Sequence, residues 1–155
     1  MRRGPGWAGR ILSLGCLLLA LAGPGEADDV NPPLPTGKLL IAGRVHLTVE
    51  LAHGSEEKGR GLSGRPPLPP GYGMLFVYEA AQPIGIWMKD MRFPLDIIWI
   101  QAGRIVHIVK DAPPLKPTGP ETVYTAVGDL VLEVPAGFTA KQKIRVGDPV
   151  KVTRP

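Results

Sequence analysis

The chain has 155 residues, 44% hydrophobic and 21% charged, with a formal net charge of +4 and a single Cys. That length accommodates one domain with a real core and not two, and the apolar fraction excludes a wholly disordered chain. One Cys excludes an internal disulfide, a Cys-rich zinc site and a CxxC redox pair.

The N-terminus has the layout of a cleavable secretory signal. Arg2, Arg3 and Arg10 stand without an acidic neighbour, an apolar run follows from Ile11 to Ala22, and Gly23, Pro24, Gly25 and Ala27 precede the first Asp pair. The run of 12 residues falls short of the ~20 that span a bilayer. Contact with a membrane is therefore expected only through a signal that escapes cleavage. Cys16 follows Gly15 as in a lipobox, but the apolar run continues past it through Leu21, so a signal helix accounts for it better than a lipid anchor. Residues 1–27 are read as a signal peptide, 28–37 as a proline-rich linker and 38–155 as one β domain.

Without residues 1–27, 15 Lys and Arg face 13 Asp and Glu, and no Cys remains. A net charge of +2 gives no electrostatic case for nucleic acid, which needs a clustered basic face. The Cys-free domain suits an oxidising compartment, and the expected location is periplasmic or secreted.

Pro32, Pro33 and Pro35 give the linker an extended backbone. Between Lys38 and Leu51, Val45, Leu47, Val49 and Leu51 alternate with Arg44, His46, Thr48 and Glu50, the pattern of a half-buried strand. Ser55 is placed to cap a short helix near residues 55–62, with Glu56 and Glu57 in its first turn. Residues 64–73, rich in Pro and Gly, read as loop.

Short strands are predicted at Met74–Tyr78, Ile84–Met88 and Ile97–Ile100, and Gln101-Ala102-Gly103 is a hairpin loop into Arg104–Lys110. After a second proline-rich break come Val123–Val127, Leu130–Val134, Lys143–Val146 and Val150–Thr153, the last two flanking a Gly147-Asp148-Pro149 turn. About eight or nine short strands and one short helix predict an all-β, single-domain sandwich or small barrel.

The densest chemistry lies at Trp87–Asp96, WMKDMRFPLD. One reading is a pocket in which Trp87 stacks, Lys89 and Arg92 meet an anion, and Asp90 or Asp96 accepts hydrogen bonds. The other is a strand crossing in which Trp87 and Met88 fill core, Pro94 fixes the turn and Asp96 binds backbone amides.

That stretch, with GRGL at 59–62, GMLFVY at 73–78, LEVPAG at 132–137 and IRVGDPV at 144–150, resembles the prokaryotic family called domain of unknown function 192. The resemblance runs from about Lys38 to Val152. It implies a small, often exported β domain of jelly-roll type, with no general activity assigned. The family's pattern falls on Gly61, Leu62, Arg65, Gly73, Met74, Phe76, Trp87, Met88, Lys89, Pro94, Leu95, Asp96, Glu133, Gly137, Gly147 and Asp148. Ser63-Gly64 and Asp90-Met91 depart from it, standing where the family has Met and an aromatic, and Asn and Thr.

His46, His53 and His107 are scattered, so no zinc site is expected. Met88 and Met91 beside Trp87 suit Cu(I) in type, but core filling is the commoner role of Met. Ser55 and Ser63 lie in no GxSxG elbow. No metal, cofactor or covalent nucleophile is predicted.

Three functions stay open. The first is a binding module for a small polar ligand or an envelope partner, with Trp87, Lys89, Asp96, Glu133, Arg60 and Arg65 as candidate site residues and no catalytic residue. The second is a carboxylate-dependent enzyme acting on a sugar or cell-envelope component, which requires Asp96 and Glu133 to face one cavity. The third is a purely structural domain.

Overall fold

The computed structural model describes residues 31–116, 118 and 121–153. The signal-peptide reading and the start of the linker lie outside the described residues. Those that are described form seven strands and two short helices. The all-β expectation is met by one sheet, ordered β5-β4-β6-β3-β2-β1-β7, that curls into a half-barrel.

The pattern from Lys38 to Leu51 is two strands, β1 (Thr36–Ile41) and β2 (Val45–Ala52), paired antiparallel with Ile41 opposite Val45. The turn between them rests on Ala42 and Gly43 at φ 52° and 67°. Ala rarely adopts that left-handed conformation, so the turn carries no strong signal in the sequence. The same Ala-Gly device at Ala102 and Gly103 joins β4 (Leu95–Gln101) to β5 (Arg104–Ala112). There the carboxylate of Asp129 accepts the Ala102 N–H at 3.0 Å and helps to hold the turn.

Two strands are longer than expected, and this lowers the count to seven. β3 (Tyr72–Trp87) runs through Met74–Tyr78 and all of Ile84–Met88 but its last residue, and β6 (Val123–Pro135) through both Val123–Val127 and Leu130–Val134. Their pairing is interrupted only by a register shift between Val77 and Gln82. Such a bulge bends the ribbon while sustaining it, so each long strand reads locally as two short ones. Residues 143–146 are not strand but the approach to β7 (Val150–Thr153). A four-residue helix, α2 (Phe138–Lys141), precedes them.

The helix predicted near residue 55 is α1 (Ser55–Arg60). Its N-cap is Gly54 rather than Ser55, and the Glu57 carboxylate accepts the backbone N–H groups of His53 (2.7 Å) and Gly54 (2.8 Å). Those two bonds hold the Glu57 carboxyl below its ordinary value.

The sheet is buried on both faces. One cluster gathers Leu39, Ile41, Leu47, Val49, Leu75, Ile98, Ile100, Leu132 and Val134 with Ile105 and Val150 from the two edge strands, and so fills the inside of the curl. The other packs Met74, Phe76, Ile84, Ile86, Leu95, Ile97, Trp99 and Val131 beneath Leu62, Met88 and Phe93. Alternation along β4 and β6 sends neighbouring residues to opposite clusters. Trp99 is fully buried, with its indole N–H donating to the Ile84 carbonyl at 3.0 Å, which satisfies its one polar atom.

The two edges meet at one end. Ile105 N–H donates to Asp148 O, Gly147 N–H to Ile105 O and Val150 N–H to Gly103 O, at 3.0, 2.8 and 2.8 Å. These bonds cover part of each edge, where unpaired backbone groups otherwise remain exposed. Residues 31–35 are extended but docked. Asn31 donates to Gly61 O, Leu34 N–H to the Glu50 carboxylate, and Pro35 O accepts Leu51 N–H.

Candidate functional site

Glu133 lies on β6, flanked by Met74 of β3 and Ile97 of β4. Pairing on both sides places it in the middle of the sheet, and its side chain is directed to the face covered by α1 and the loops after it. It is 5% exposed, and its Oε2 atom is buried with no hydrogen-bond partner among the described residues. Buried carboxyl groups are normally paired. Burial pushes the Glu133 carboxyl up to about 8, so at neutral pH it is mainly a protonated acid with a proton to donate.

Above it is a half-open pocket of about 60 Å³, room for a few waters or one small planar group. Its walls come from three places. α1 and the turn after it supply Lys58, Arg60, Gly61, Leu62 and Ser63; β3 supplies Phe76, Tyr78, Gly85, Ile86 and Trp87; and the loop before β4 supplies Met91. The bulge in β3 matters here, because it lets one strand line the pocket twice.

Gly61 ends α1 at φ 49°, and a Cβ there would stand 3.3 Å from the Phe76 ring. A larger residue is strained in backbone and presses on the pocket wall. Lys58 donates to Val77 O at 2.9 Å and lies 4.3 Å from the centre of the Tyr78 ring. It separates the pocket from a wider polar groove lined by His53, Ser55, Glu79 and Gln82. Burial, and then the charge of Glu133, push the Tyr78 phenol up.

Of the six residues singled out from the sequence, three line this pocket: Glu133, Trp87 and Arg60. Trp87 is 45% exposed. Arg60 extends over the rim and pairs with Glu56 at 2.6 Å.

The other three lie elsewhere. Lys89 is exposed, with its ammonium 5.3 Å from the Trp87 ring centre, and does not line the pocket. Arg65 is buried, joined to Glu50 by two parallel hydrogen bonds of 2.9 and 2.8 Å. Asp96 is fully buried and accepts four hydrogen bonds: from Asp111 N (2.9 Å), Gly137 N (3.2 Å), Thr139 N (2.8 Å) and Thr139 Oγ1 (2.6 Å). It ties β4 to β5 and to the start of α2.

Asp96 is opposite Val134, and Ile97 is opposite Glu133. Successive side chains alternate across a sheet, so the two carboxyls point to opposite faces. An acid and base pair acting on one substrate is not formed. Among the described residues no group of three His, Cys, Asp or Glu converges as a metal site.

Lys58 and Tyr78 carry no signal in the sequence, and Phe76 enters there only through the family's pattern. Met74, Phe76 and Tyr78 share one face of β3 by alternation, and Glu133 is opposite Met74; the cross-strand register, which sequence does not supply, joins them. The departure at Asp90 has a physical reading. Its φ is 56°, and Asn and Asp are the non-glycine residues best suited to that conformation.

Two solved structures are similar to the chain. A protein of Sinorhizobium meliloti 1021 described as a "putative transcription regulator" shares 28% identity with a TM-score of 0.72, over 78% of this chain and 96% of that one. A protein of unknown function from Novosphingobium aromaticivorans DSM 12444 shares 31% identity with a TM-score of 0.68, over 76% of this chain and 86% of that one. No curated protein matches. The family model described as "DUF192: Uncharacterized ACR" matches residues 38–152, from the third residue of β1 almost to the end of β7. The chain belongs to the DUF192 family.

Proposed function

We propose that this chain is a non-catalytic binding module, exported to the periplasm or beyond, whose pocket above Glu133 receives a small polar ligand. One observation carries the reading. A carboxyl oxygen buried on the inner strand β6 has no hydrogen-bond partner among the described residues, and the pocket above it is where a partner can enter. Leaving such a group unsatisfied costs roughly 1–3 kcal/mol, a cost that a bound ligand removes. The pocket is small and mainly polar in its lining, with Leu62, Phe76, Ile86 and Met91 beside the polar groups, which suits a small polar ligand. The basic, apolar and small-residue order of residues 1–27 supports export.

The test is a thermal-shift screen of small polar compounds against residues 28–155 and against Glu133→Gln and Trp87→Ala. Compounds that raise the Tm of the parent and lose that effect in Trp87→Ala support the reading. Compounds that act equally on both variants bind elsewhere, and overturn it. Export is checked separately by the mass of the protein recovered from the periplasm, expected to lack residues 1–27.

A further inference from the structure

We propose that the pocket is a receptor for the carboxylate of a small organic acid, held by a hydrogen bond from the Glu133 carboxyl, by the Lys58 ammonium and by the Arg60 guanidinium at the rim. The inference rests on the binding reading and names the chemical class of its ligand.

The charges facing the pocket decide the sign of the ligand. α1 contributes two cations, Lys58 and Arg60, β3 contributes the phenol of Tyr78, and β6 contributes Glu133; among the described residues no other ionisable side chain lines it. Neither cation forms an ion pair with Glu133, since the ion pairs among the described residues are Arg60 with Glu56 and Arg65 with Glu50. Only one of the three N–H donors of Lys58 has an acceptor, Val77 O. The pocket thus holds surplus donors and the charge of Lys58, unpaired among the described residues, while Arg60 shares its charge with Glu56. An amine or guanidinium ligand would meet repulsion from Lys58, whose charge no carboxylate among the described residues offsets, whereas an anion pairs with it and can draw on the free N–H groups of Arg60.

The available donors also favour a carboxylate over a tetrahedral anion. Phosphate sites draw on clustered backbone N–H groups. In the turn after α1 the N–H groups of Gly61, Ser63 and Arg65 are already bonded to Glu57 O, Arg60 O and Leu62 O. What remains is a few side-chain donors around about 60 Å³, enough for a planar head group with two oxygens. Leu62, Phe76, Ile86 and Met91 offer an apolar wall to the body of the acid.

Binding then follows the protonation of Glu133. With its carboxyl titrating near 8, the donor form falls about tenfold between pH 7 and pH 9, while the ligand stays ionised throughout. Tyr78 is pushed above its ordinary value and does not titrate in that window.

The test follows the Trp87 indole N–H signal by NMR while residues 28–155 are titrated with acetate, propionate and benzoate, their primary amides, and inorganic phosphate and sulfate. The acids are expected to bind at least tenfold more tightly than the amides, and to weaken about tenfold from pH 7 to pH 9. Glu133→Gln is expected to keep acid binding and lose that pH dependence, and Lys58→Met to weaken the acids by tenfold or more with little change for the amides. Amides that bind as tightly as the acids overturn the carboxylate assignment and leave the binding reading standing, as does tighter binding of phosphate or sulfate. No response to any probe at pH 6, together with an empty thermal-shift screen, overturns both.

Discussion

Asp96 and Glu133 lie on adjacent strands one register step apart, and both are withdrawn from solvent. Their surroundings are opposite. Asp96 has its two oxygens filled by three backbone N–H groups and a hydroxyl, whereas Oε2 of Glu133 has nothing. Burial alone therefore does not distinguish a structural acid from a site acid. Hydrogen bonding does so only together with an adjoining pocket: Asp129 Oδ1 is also buried without a partner among the described residues, on a carboxylate whose other oxygen holds the Ala102 turn, whereas Glu133 lies beneath a space from which a ligand can complete it. Glu50 is a third solution, closed by the guanidinium of Arg65 and the N–H of Leu34.

The largest expected effect belongs to the complete acid. Asp96→Ala strips acceptors from the N–H groups of Asp111, Gly137 and Thr139 and from the Thr139 hydroxyl in one change. A loss of about 4 kcal/mol is expected, measured as a Tm lower by on the order of 15 °C. A variant as stable as the parent would show that the donors find water as readily as Asp96, and the contrast with Glu133 would collapse.

Arg65→Ala is next. It leaves Glu50, 6% exposed, without its cation, and breaking a buried pair from one side costs about 3 kcal/mol. The variant with Glu50→Leu and Arg65→Leu together removes both charges and should recover part of that loss in urea denaturation. A double variant no more stable than Arg65→Ala alone would show that the guanidinium matters for its packing and not for the charge of Glu50.

How much of this is legible in the sequence depends on distance along the chain. The β class, the short helix after Ala52, the Gly103 hairpin and the docking of Trp87–Asp96 between strands follow from local alternation and turn chemistry. The Ala42-Gly43 turn does not, although it uses the same Ala-Gly pair, because the apolar pattern on either side of it reads as one strand from Lys38 to Leu51. Nor do the lengths of β3 and β6, whose interiors carry a bulge that imitates a strand end.

The WMKDMRFPLD stretch shows the same limit in the site. Its composition marks it as unusual, yet its members serve different ends: Trp87 and Met91 line the pocket, Met88 and Phe93 fill core, and Asp96 binds backbone on the other face. The partners of Glu133 come from residues 58–63 and 76–87. No spacing rule brings α1, both halves of β3 and β6 together. That requires the sheet order, in which β3 runs parallel to β2 and antiparallel to β6.

Glu133→Gln sharpens the comparison from the other side. The folded protein raises this carboxyl from 4.5 to about 8, so between those values the folded state holds a proton that the unfolded chain has released. Stability from that proton is complete below pH 4.5 and is lost as pH rises to 8. Glutamine keeps the shape without the titration. Glu133→Gln should therefore gain about 2 kcal/mol over the parent as pH is raised from 5 to 8, a value reduced from the full linkage because the open pocket admits water. Parallel Tm curves for the two proteins across that range would show an acid that is ionised and solvated in the fold.

The smallest effects fall at the rim, where the two readings of the sequence motif part. Lys89 is exposed, and its contact with the Trp87 ring at 5.3 Å is worth about 0.5 kcal/mol at such a site. Lys89→Ala should lower Tm by no more than about 2 °C and leave acid binding unchanged, since the side chain lies outside the pocket. Trp87→Ala should also be mild in stability, because nearly half the ring already faces water, but it removes a wall of the pocket and should weaken ligand binding severalfold. Loss of binding in Lys89→Ala equal to that in Trp87→Ala would mean that the ligand reaches across the ring to the ammonium, and would extend the site beyond the space above Glu133.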